Sequence, residues 1–194
     1  MRFIGHRDLV RLFERLFRRA GLRLAMSEGF HPKPRMSFPS ALAVGIEGLD
    51  EVMELELVEA CLAEPLARQL ARRAVPGLEF RSLEVLPPRA AKARVRSAAY
   101  EIPIPEDRRA ETAEQVLGLL AAESRLVRRP GKARTLDLRP CVEELAVDGG
   151  VLRMRLSVRQ EAAASARHVL AELGLADLEQ AGACLRRTAV QLEP

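Results

Sequence analysis

The sequence has no tryptophan, one tyrosine and six phenylalanines, so aromatic residues make up only 4% of its 194 positions. That is too few for an extended aromatic surface. Cysteine is equally scarce. Cys61, Cys141 and Cys184 are odd in number, lie far apart and show no C-x-x-C spacing, so no disulfide framework is implied. Three reduced, mostly buried thiols are expected. His6, His31 and His168 are dispersed, and H-E-x-x-H does not occur, so neither a metal set nor a cofactor is expected. A Gly-rich phosphate loop, G-x-S-x-G and G-x-G-x-x-G are missing too, which removes the common nucleotide-binding and hydrolase patterns. No apolar run reaches the length of a membrane span. The start is charged and amphipathic, unlike a signal peptide. These absences lead us to expect a cytoplasmic protein.

What is present reads as globular. Hydrophobic residues make up 48% and charged residues 30%, and the length suits one large or two small domains. The formal net charge is +4, and its distribution matters more than its sum. Arg2, Arg7, Arg11, Arg15, Arg18, Arg19, Arg23, Lys33 and Arg35 face only Asp8, Glu14 and Glu28. The next stretch, to Glu64, is acidic, with Glu47, Asp50, Glu51, Glu54, Glu56 and Glu59.

Periodicity sets out the elements. Phe3–Ile4 reads as the tail of a strand. Leu9, Leu12, Phe13, Leu16 and Phe17 form one face of a helix from about His6 to Ala20, and Gly21 stands where a left-handed residue would end it. Extended segments are expected from Met36 to Val44, over Val52, Leu55 and Leu57, and from Leu78 to Leu86. A turn is expected at Gly45 to Gly48 and a helix from about Glu64 to Arg73. A similar order then recurs: a strand at Ala99–Ile104, a helix at Arg109–Ala122, and extended pieces at Leu126–Arg128, Thr135–Leu138 and Val142–Val147. Asp148-Gly149-Gly150 is a hairpin signal before Val151–Val158. A helix over Ser165–Leu173 and a strand over Ala183–Leu192 complete the chain. The fold class expected is α+β. It consists of two ferredoxin-like (split β-α-β) halves, residues 1–88 and 97–194, with antiparallel sheets and helices packed on one face. Residues 89–96 form a basic connection.

On a helical wheel Arg7, Arg11 and Arg18 fall about 160–200° from Leu9, opposite the apolar stripe. Glu14 lies within reach of all three. Such a ridge suits phosphate groups, although a solvated face in an arginine-rich chain looks the same. The segment from Ser27 to Arg35 adds Phe30, His31, Lys33 and Arg35 on a loop stiffened by Pro32 and Pro34. Rings that stack on bases and cations that meet phosphates are the usual means of gripping single-stranded RNA. Phe30 is nevertheless read first as a core plug. A second basic site is suggested at Arg128 to Arg134, including Lys132 and Arg134 and extended by Arg139. No catalytic residue is assigned. His6 and His31 would be the acid and base of a metal-independent cleavage, but they read more simply as a helix start and a surface contact. His168 reads as structural.

The segments His6-Arg7-Asp8-Leu9, Phe13-Glu14-Arg15, Arg18-Arg19-Ala20-Gly21-Leu22 and Ser27 to Arg35, with Pro39 and Val44-Gly45-Ile46-Glu47, carry a family resemblance. So do Thr135 to Pro140 and Leu152 to Leu156. Together they resemble the radical-SAM-linked domain of unknown function, over nearly the whole chain. Members commonly begin a few residues earlier, with a longer first strand. The resemblance implies a radical SAM protein as partner, fused or encoded nearby, and a target among RNA or ribosomal components. This chain lacks the C-x-x-x-C-x-x-C that holds a radical SAM cluster, so it is not expected to be the catalytic half. The expected function is a non-catalytic accessory module that presents RNA or a ribosome-related target to that partner. The alternatives are a protein-only interaction subunit and, by fold analogy, an RNA endonuclease of the CRISPR-RNA-processing type.

Overall fold

The computed structural model describes residues 1–88, 90–128, 135–158 and 164–193. Its elements are α1 (His6–Arg19), β1 (Met36–Ser37), β2 (Glu47–Gly48), β3 (Glu54–Leu55), α2 (Ala63–Ala71), β4 (Val95–Pro103), α3 (Arg109–Ala121), β5 (Leu126–Arg128), β6 (Thr135–Asp137), β7 (Val142–Asp148), β8 (Val151–Ser157), α4 (Ala166–Glu172) and β9 (Arg186–Leu192). They fall into two compact units. The first holds Met1–Val44 and Val52–Ala93, the second Gly45–Glu51 and Arg94–Pro194.

In the first unit α1 buries Phe13, Leu16 and Phe17, the stripe its 3.6-residue period dictates. Its end is local chemistry. Gly21 takes φ +67°, its amide donates to the Arg18 carbonyl, and the Leu22 amide donates to the Phe17 carbonyl at 3.0 Å. These are the two bonds of a Schellman motif, and Leu22 turns inward against the core. Leu66 and Leu70 of α2 join Phe13, Leu16, Phe17 and Ala20, with Phe38, Phe80, Met36 and Leu55 packed around them.

The strands of this unit are shorter than the alternation predicts. The expected strand from Met36 to Val44 contracts to two residues, paired antiparallel with Glu54–Leu55. Phe3 and Ile4 lie in a turn closed by the Ile4 amide on the Met1 carbonyl, and no strand forms over residues 78–86. Pro32, Pro34 and Pro39 supply no amide hydrogen, which prevents a continuous ladder. Three extended segments instead meet in a ring of backbone hydrogen bonds. The Ala25 amide donates to Glu56, the Arg35 amide to Ala25, and the Glu56 amide to Arg35, at 2.8, 2.8 and 2.9 Å. The four-stranded sheet expected for an N-terminal ferredoxin-like half does not form among the described residues.

The second unit carries a five-stranded sheet in the order β2-β9-β4-β8-β7. Strands β4, β7, β8 and β9 pair antiparallel, while β2 runs parallel to β9. The chain order from β4 is β-α-(β5–β6 ribbon)-β-β-α-β, with the first strand in the sheet's interior. The β7–β8 hairpin turns on Gly149 and Gly150, at φ +57° and +78°. A two-residue turn of this hand follows strand twist and favours glycine. Residues 45–48, expected as a turn, supply the edge strand β2. Ser165 and His168 exchange side-chain and backbone hydrogen bonds across the start of α4, so His168 acts as a helix cap.

Candidate nucleic-acid interface

The two units divide the charge unevenly. The first carries fifteen Lys and Arg against nine Asp and Glu, the second sixteen against eighteen. All of the chain's positive excess therefore resides in the first unit. This happens partly because Glu47, Asp50 and Glu51, from the acidic stretch after the basic block, fold into the second unit. There Arg186 holds Glu47 at 2.9 Å, and Arg187 holds Glu51. The other cations of the second unit are widely consumed as well. Arg108 pairs with Asp177, Arg167 with Glu179, Arg155 with Glu144, Arg153 with Asp148, and Arg125 with Glu172.

Helix α1 is different. Arg7, Arg15, Arg18 and Arg19 are exposed, and among the described residues none forms an ion pair. Arg11 meets Asp8 at 3.6 Å, with both side chains about 70% exposed. A pair so open to water is weak and leaves the guanidinium available to a stronger anion. The outward ridge of Arg7, Arg11 and Arg18 is thus in place. Glu14, within reach of all three along the helix, forms no ion pair with them among the described residues.

The loop after α1 is braced at its base. The Ser27 amide donates to the Lys33 carbonyl at 2.8 Å, and the Ser27 Oγ accepts from the Lys33 amide at 2.9 Å. Gly29 takes φ +117°, where a side chain would be strained. The loop therefore turns tightly and presents residues 28–33 to solvent. Phe30 is 102% exposed, which overturns its assignment to the core. The core is already filled by Phe13, Phe17, Phe38 and Phe80. His31 and Lys33 are exposed beside it.

Other candidates separate. Arg35 is paired with Glu56, Nη1 to Oε2 at 3.1 Å, with both side chains about half exposed. His6 sits at the start of α1 with its ring edge-on to Phe38 at 5.4 Å, and no hydrogen bond joins it to His31 among the described residues. Arg139 Nε donates to the Leu120 carbonyl and its Nη1 to the Val142 carbonyl, both at 3.2 Å, so it clips the end of α3 to β7. Lys132 and Arg134 lie outside the described residues. No group of His, Cys, Asp or Glu able to hold a metal ion forms among the described residues, and no described helix is long and apolar enough to cross a membrane.

One basic cluster was not foreseen. Arg68, Arg72 and Arg73 line a groove of about 240 Å³ with Pro65 and Gln69 at the carboxyl end of α2. Along the chain Gln69, Leu70 and Ala71 separate Arg68 from Arg72 and Arg73, so the three form no long charge run; the helical turn brings them together.

The architecture defines a two-unit α+β protein with a basic helix–loop surface on its N-terminal unit. The chain belongs to the family described as "Uncharacterized protein conserved in bacteria (DUF2344)", whose pattern matches residues 1–168. No curated protein matches it in sequence.

Proposed function

We propose that this protein is a non-catalytic RNA-binding module, with bases stacking on Phe30 and phosphates lying along Arg7, Arg11, Arg18 and Lys33. The observation that carries this reading is the fully exposed Phe30, on a braced cationic loop, in the unit that holds all of the chain's positive excess. An exposed ring next to His31 contributes nothing to the apolar core, whereas stacking on a base covers its face. The module delivers RNA or a ribosome-related target to a radical SAM partner; that partner rests on the sequence resemblance.

Fluorescence anisotropy of labelled single-stranded RNA tests the reading. Binding should weaken as salt rises, and the double variant Arg11→Glu/Arg18→Glu should lose most of it. RNA binding indifferent to that reversal sinks the proposal. Co-purification with a radical SAM protein that depends on Phe30 but not on nuclease treatment would favour a protein-docking surface instead.

A further inference from the structure

The arginines at the carboxyl end of α2 belong to no role assigned so far. Helical spacing sets Arg68 and Arg72 in one row and Pro65, Gln69 and Arg73 in the adjoining one, while Leu66 and Leu70 face the core. Like charges at this spacing repel by about 0.2–0.5 kcal/mol per pair. Arg68 has Glu64 as a partner; Arg72 and Arg73 have none among the described residues. The end of α1 is tied to the same place, because Gln69 Nε2 donates to the Ala20 carbonyl. Arg18 and Arg19 occupy the last turn of that helix.

Helix dipoles alone do not account for this gathering. The carboxyl end of α2 offers about half a negative charge. Arg68, Arg72 and Arg73 with one carboxylate, Glu64, leave an excess of about 1.5 positive charges after that compensation. A cluster with that excess and a groove between its members fits an anion with several oxygens, and guanidinium forks suit phosphate in particular.

We infer that the groove formed by Arg68, Gln69, Arg72 and Arg73 binds a backbone phosphate of RNA, as a second anchor separate from the Phe30 loop. This rests on the RNA reading above, and the test keeps the two apart. The full chain is compared with Arg72→Glu/Arg73→Glu and with Arg72→Lys/Arg73→Lys, after their melting temperatures are shown to match. Labelled oligouridine is titrated across a salt series. The glutamate variant should bind more weakly, and its dependence of log K on log salt should flatten by about 0.7, the value for one single-strand phosphate contact. The lysine variant should keep the wild-type slope. In parallel, inorganic pyrophosphate is added while the arginine side-chain Nε–H resonances are followed by NMR. Arg68, Arg72 and Arg73 should shift in the wild type, and the remaining Arg68 should not shift in the glutamate variant. Oligouridine binding with an unchanged slope in the glutamate variant overturns the groove while leaving the RNA reading intact. Pyrophosphate shifts without oligouridine binding overturn the RNA anchor and leave an anion groove. Neither signal overturns both.

Discussion

Arg187 is buried to 2% exposure on β9, between the edge strand β2 and β4, and grips Glu51 through two charge-assisted bonds, Nε to Oε1 at 2.7 Å and Nη2 to Oε2. Burial alone would push the Arg187 guanidinium toward its neutral form. The hydrogen bond and charge of Glu51 outweigh that and hold its pKa above the ordinary value. Residues 45–51 are thereby fastened to β9, beside the β2–β9 backbone pairing. A buried cation deprived of its carboxylate is costly, so Glu51→Ala should destabilise the second unit by about 3 kcal/mol in urea denaturation. Arg187→Leu, which removes the charge itself, should cost less. Equal losses in the two variants would argue against this account.

Phe30→Ala should lower single-stranded RNA affinity about tenfold to a hundredfold, the loss of one stacked base. Its ring touches no core, so thermal stability should stay within about 0.5 kcal/mol of wild type. A large drop in melting temperature would place the ring in the fold instead of the interface.

Glu56→Gln should release Arg35. The exposed pair contributes at most about 1 kcal/mol to stability. RNA should bind more tightly, with the salt dependence steepened by up to about 0.7. Weaker binding would show instead that Glu56 orients Arg35 for its ligand.

Acid should undo the second unit through its paired carboxylates. The hydrogen bond from Arg108 holds the Asp177 carboxyl below its ordinary range, and the Arg125 amide with the Ser124 hydroxyl and the Arg139 amide does the same for Asp137. Both groups favour the folded state fully above the unfolded value of about 4. That contribution is lost as pH falls below it, through the lower folded values. Asp177→Asn should flatten the decline of stability in urea titrations below about pH 4. An unaltered decline would rule Asp177 out as a source of it.

The local features were legible in the residues themselves. The apolar stripe of α1, its stop at Gly21, the glycine turn between β7 and β8 and the outward ridge of Arg7, Arg11 and Arg18 each depend on neighbours within one or two turns of chain. Backbone sterics and periodicity decide such features before any tertiary contact forms. Three others needed the folded chain. Residues 45–48 read as a turn, because nothing nearby indicates that Glu47 will meet Arg186, 139 positions away. Phe30 read as core, because a loop has no period to say which way a ring points; only the filled aromatic cluster around Phe13 decides it. Arg139 read as free charge until the carbonyls of Leu120 and Val142 came within its reach. Where the basic helix and loop lie follows from local spacing and turn chemistry. Which of their cations stay unpaired depends on the folded chain, since ion pairing is set by distances in space that spacing along the chain does not fix.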